Sequence, residues 1–116
     1  MVKRLVAMAI AALWMAQASA EAPFGVTVYP GAKADAAVTR DLKDKLKVNG
    51  FAYRTTDGVA KVAEFYRKQP PLKEMAVDKE SAAFMNGPVM VTIQNPWMDM
   101  ATGKMMKDTL ISIVKN

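Results

Sequence analysis

The stretch Asn95 to Asp108, NPWMDMATGKMMKD, sets Trp97, Met98, Met100, Met105 and Met106 around a single turn, in a chain that has no cysteine and no histidine. Thioethers are soft ligands suited to Cu(I) or Ag(I), and a tryptophan ring can cap a cation through its face. Met98, Met100 and Met106 are the candidate metal set. Methionine also fills irregular gaps and makes adaptable contact surfaces, and Met75, Met85 and Met90 occur without any such clustering. The contact reading is therefore the stronger one, with Trp97, Met98, Met100 and Met105 as its candidate residues.

Other chemistry finds little to work with. Nucleophilic catalysis without histidine or cysteine falls to a serine or threonine with a lysine, and Ser81 and Ser112 lie in ordinary strand contexts. Asp99 with Asp108, or Asp78 with Glu80, would be the acid–base pairs, yet both read better as turn and surface charges. Thr102-Gly103-Lys104 matches the end of a phosphate-binding loop by letters only, because the earlier glycine and the following helix are missing. A non-enzyme with no cofactor is expected.

The chain start indicates location. Met1 to Arg4 is a positive patch, Leu5 to Ala16 is a twelve-residue apolar run, and Ala18-Ser19-Ala20 suits a signal peptidase cutting before Glu21. Twelve residues fall short of the about 20 that span a bilayer. Residues 1–20 thus read as a cleaved export signal, leaving a periplasmic or secreted domain of residues 21–116 that does not span a membrane. Without cysteine, lipid attachment at that point is excluded. Of 16 basic residues, Lys3 and Arg4 leave with the signal, so 14 remain against 11 acidic ones, a net +3. So small an excess, in an exported chain, makes nucleic acid an unsuitable partner and points to a protein or cell-envelope component. Arg40, Lys43 and Lys47 share one side of a helical segment, with Lys33 just before it, as on any solvated helix face.

The elements that must position the methionine turn follow from periodicity. Val38, Leu42 and Leu46 recur at helical spacing, so a helix is expected over 35–48, capped by Asp35 and closed by Asn49-Gly50. Val59, Val62, Ala63 and Tyr66 mark a second helix over 58–69, begun by Asp57 and ended by Pro70-Pro71. Strands are expected at 26–29, 51–55, 81–85, 89–95 and 109–115. An Asn86-Gly87 turn would pair Phe84 with Val89, giving a core face of Ala82, Phe84, Val89, Val91 and Ile93. A bulged turn at Gly103 makes opposed positions of the last hairpin sum to 206, so that Met100 faces Met106, Asp99 faces Lys107 and Trp97 turns to the main core. Pro96, with no amide hydrogen, is where that ladder can break. The expected class is α+β: two helices packed on one face of a small, mostly antiparallel sheet that ends in a three-stranded meander.

Tyr29-Pro30-Gly31-Ala32, YRTTDGVAKVAEFYRKQ at 53–69 and VTIQNPW at 91–97 together resemble small exported bacterial domains of uncharacterised function. The resemblance implies an α+β domain in the cell envelope and brings no activity, cofactor or site residue with it. N-terminal sequencing of the exported protein should read Glu-Ala-Pro-Phe from Glu21; a chain that still begins at Met1 would refute the export signal.

Overall fold

Six antiparallel strands organise the chain. The computed structural model describes residues 22–116, and the expected leader, residues 1–20, lies outside the described residues. After a short 3-10 turn at Pro23–Gly25 come β1 (Lys33–Ala34), α1 (Ala36–Asp44), β2 (Asn49–Thr55), α2 (Val59–Arg67), β3 (Lys73–Val77), β4 (Ser81–Asn86), β5 (Val89–Gln94), β6 (Trp97–Met98), β7 (Met105–Met106) and β8 (Thr109–Lys115). The main sheet has the order β1-β2-β8-β5-β4-β3, and β6 with β7 forms a separate two-stranded ladder. Among the described residues no helix is long and apolar enough to cross a membrane.

The α+β class and the antiparallel meander are those expected, with β3 added as an exposed edge strand beside β4. The distribution of the helices differs. α2 lays Val59, Val62, Ala63 and Tyr66 on the face that carries Phe84, Val91, Ile93, Ile111 and Ile113. α1 instead lays Val38 and Leu42 on the opposite face, over Ala52 and Leu110. The reason is written in TLISIVK, where Leu110 and Val114 alternate with Ile111 and Ile113, so β8 has two apolar faces and each needs a cover.

Asp35 caps α1 as its spacing suggested, accepting the Val38 amide at 3.0 Å. The helix ends earlier than 48: Lys47 takes the left-handed conformation at φ 57, and Asn49-Gly50 opens β2 instead of closing the helix. Gly50 is needed for close approach, since a Cβ there would lie 2.6 Å from Val114 Cγ1 and 2.8 Å from the Ile113 carbonyl. The outer edge of β2 is closed by β1 and by α1, where the Thr39 hydroxyl accepts the Ala52 amide at 2.9 Å.

α2 is preceded by Gly58 with no side-chain cap, and Asp57 is used elsewhere, accepting the Tyr29 hydroxyl at 2.6 Å. That bond, with burial, pushes the Tyr29 phenol up to about 12. Residues 26–29 do not form the expected strand. Val26 and Tyr29 are buried in the main core, and the Tyr66 hydroxyl donates to the Thr27 carbonyl at 2.8 Å, so a side chain replaces the ladder. The β4–β5 turn is Gly87-Pro88, with Asn86 opposite Val89 and Phe84 opposite Val91. A proline φ suits the second central position of such a turn and a positive glycine φ the first. Because the pairing moves by two, the expected core face survives intact.

Gly50→Ala should destabilise the protein by roughly 1–3 kcal/mol through that clash. Gly58→Ser, at a helix start with open space around it, should change stability by only a few tenths of about 1 kcal/mol. Urea unfolding of both variants checks the contrast.

Candidate functional site

The hairpin bearing the methionines departs from the main sheet where β5 and β8 stop pairing. Gln94 faces Leu110, but the next pair is Trp97 with Met106, so two residues on one strand are answered by three on the other. Pro96 sits in that gap with no amide to donate. The offset lies at the base of the hairpin, not at its tip, and it turns the hairpin over. Trp97 and Met106 join α1 and Leu110 in the second core, and Met98 pairs with Met105 on the outer side. The buried Thr109 hydroxyl ties the junction together, donating to the Asp57 carbonyl and accepting from Asn95 Nδ2 at 3.0 Å.

Trp97 is held by a charge cluster. Its indole N–H donates to Asp108 Oδ1 at 3.0 Å, and Arg54 Nε donates to Asp108 Oδ2 at 2.8 Å. Arg54 also reaches Asp35 Oδ2 at 3.3 Å, and its guanidinium carbon lies 5.1 Å from the centre of the Trp97 ring. A charge-assisted fork and a cation over an indole face act on one side chain. Partial burial pushes the Asp108 carboxyl up, but the hydrogen bonds from Arg54 and Trp97 and the guanidinium charge outweigh it and hold that carboxyl below the usual range. Arg54, Asp35 and Asp108 line a polar cleft of about 490 Å³, yet both carboxylates are already committed to Arg54.

The expected contact residues separate accordingly. Trp97, only 3% exposed, offers a partner nothing, which corrects the expectation drawn from residue type. Met98 at 60%, Met105 at 54% and Met100 at 38% are exposed, joined by Leu46 at the end of α1. In the candidate metal set, Met98 and Met106 lie on opposite sides of the hairpin ladder, and the expected pairing of Met100 with Met106 is not the one formed. The tip itself is built by Asp99, which accepts the Ala101 amide at 3.0 Å while Gly103 takes φ 75 at the expected left-handed position. Asp78 likewise makes a turn, accepting the Glu80 and Ser81 amides, which hold its carboxyl low. Between the hairpin, α1 and the second sheet face lies an apolar hollow of about 320 Å³.

No family model, no curated protein and no solved structure matches the chain.

The pairing of Arg54 with Asp108 was hidden from sequence reasoning, which reads Asp108 as a turn or surface charge. Residues 35, 54, 97 and 108 come from four separate segments, so no spacing marks them. Asp108→Asn should expose the linkage. A carboxyl held low in the folded state contributes stability above its unfolded value near about 3.9 and loses it as pH falls through the folded value. The stability difference between wild type and Asp108→Asn should thus be constant above about pH 5 and shrink in more acidic solution. Urea unfolding across that pH range measures it.

Proposed function

We propose that the chain is a non-catalytic exported domain that presents the outer side of the 95–108 hairpin to a protein or cell-envelope component. The observation that carries this reading is the cross-strand pair Met98 and Met105, both more than half exposed on a hairpin whose other side is anchored through Trp97. An anchored ladder displaying flexible thioethers gives a partner a fixed platform with adaptable contacts. Met100 and Leu46 extend the same apolar surface, and a grouped exposed apolar patch is costly to keep without a use.

The lack of histidine and cysteine supports the non-catalytic part, as does the commitment of Asp35 and Asp108 to Arg54. The apolar run before Ala18-Ser19-Ala20 and the resemblance to small exported domains support the location. With Met98 and Met106 on opposite sides of the ladder, the grouping that motivated a soft-metal site loses its geometric support.

Met98→Asp with Met105→Asp tests the reading. Both side chains are exposed, so unfolding should shift by no more than about 0.5 kcal/mol for each. Capture of partners from the producing cell's envelope fraction should fall at least about tenfold, equivalent to about 1.4 kcal/mol of binding. Recovery equal to that of the wild type would remove the hairpin as the contact.

A further inference from the structure

The hollow between α1 and the second sheet face is built like a ligand pocket. At about 320 Å³ it falls within the range of small-molecule sites, about 300–1,000 Å³. Leu42, Leu46, Val48, Leu110 and Val114 give it apolar walls, and Met98 and Met100 stand among its lining residues. Its polar groups are few and come together on neighbouring strands. Ser112 and Thr92 are direct cross-strand partners, and Gln94 follows two positions along β5 on the same face.

Ser112 decides the matter. It is only 6% exposed, it lines the hollow, and among the described residues its hydroxyl takes part in no side-chain hydrogen bond. The other buried polar side chain, Thr109, has both of its bonds made within the protein. Among the described residues no fully enclosed side-chain nitrogen or oxygen lacks a partner, and the hollow that Ser112 lines is where its hydroxyl has room for one. Packing does not require a hydroxyl there. Ser112 sits between Ala52 and Thr92, and alanine would fit between those neighbours as closely.

Charge narrows the ligand further. Asp41 is the one charged side chain among the lining residues, and Lys45 Nζ lies 3.6 Å from its carboxylate while also donating to the Met100 carbonyl at 3.4 Å. The rim is self-neutralised. We infer that this hollow binds a small neutral amphiphile, an apolar chain or ring carrying one uncharged hydrogen-bonding group that reaches Ser112 and Thr92. The inference goes beyond the docking of a partner on the outer methionines; Leu46, Met98 and Met100 border both surfaces, but Ser112 and Thr92 belong to the hollow alone, so the Ser112 variants distinguish the two.

N-Phenyl-1-naphthylamine, a neutral fused ring with a single N–H, is the probe. Titrated into the purified protein, it should bind saturably with one site per chain and quench Trp97, which lines the same hollow. 1-Octanol should displace it, and octanoate of equal chain length should need at least about tenfold more, since the one charged lining residue is the Asp41 carboxylate. Ser112→Ala should weaken 1-octanol about three- to tenfold, the effect of one hydrogen bond. Ser112→Leu, which fills the floor, and Leu46→Asp, which puts a charge on the hollow's exposed wall without entering the buried core, should each weaken the probe at least about fivefold, with circular dichroism confirming the fold. Absence of saturable probe binding to the wild type would overturn the site. Unchanged probe affinity in both the Ser112→Leu and Leu46→Asp variants would overturn its location, and octanoate competing as well as octanol would overturn its neutral character.

Discussion

Arg54 ties together three stretches of chain that are apart in sequence: its own strand, the start of α1 and the two ends of the 95–108 hairpin. It is anchored in β2, forks to Asp108 beside β8 and Asp35 before α1, and covers the face of Trp97 in the hairpin. A buried indole N–H needs an acceptor, and Asp108 supplies it only because the same carboxylate is balanced by the guanidinium. Loss of the arginine would leave two carboxylates facing each other beside an apolar ring. The position of α1, the attitude of the hairpin and the burial of Trp97 all rest on this one cation.

Around that anchor the sheet carries two unequal cores. The larger one, under α2, is a stack of aliphatic side chains with Tyr66 and Phe84, and its interior groups are nearly closed to solvent. The smaller one, under α1, is assembled from Val38, Leu42, Ala52, Trp97 and Leu110. α1 is only nine residues long and lies mainly against β2, near one edge of the six-stranded sheet. The hairpin folds over part of the remaining face, and the hollow is what the two covers leave between them. Its presence follows from the lengths of α1 and of the hairpin, while its hydroxyl-bearing floor is a separate choice of residues.

Tip and hollow divide the methionines between different tasks. Met106 packs against the second core, Met98 and Met105 form the outer cross-strand pair with Met98 also bordering the hollow, and Met100 lies beside the opening near Lys45. Flexible thioethers suit all three settings, because each tolerates a surface without fixed shape. Residue type by itself cannot separate these roles. The two-against-three offset at Pro96 does, by deciding which side of the hairpin meets α1.

Much of the architecture is local and was legible from the chain. The stripe of Val59, Val62, Ala63 and Tyr66, the Asp35 cap, the left-handed Gly103 and the alternation in β4 and β5 depend on neighbours a few residues away, so periodicity and turn chemistry suffice for them. Even the misplaced turn at Gly87 preserved the core face, since a shift of two leaves side-chain parity unchanged. The helix end at Asn49-Gly50 was misread because glycine serves both turns and close approaches, and only the nearness of Val114 tells which applies. The face chosen by α1, the entry of Trp97 into the second core where its register pointed to the main one, the Arg54 cluster and the exposed methionine pair were decided by tertiary structure. The first three depend on contacts between residues tens of positions apart; the methionine pair depends on the interrupted hydrogen-bond ladder at Pro96, which reverses which side chains are buried without altering any local preference.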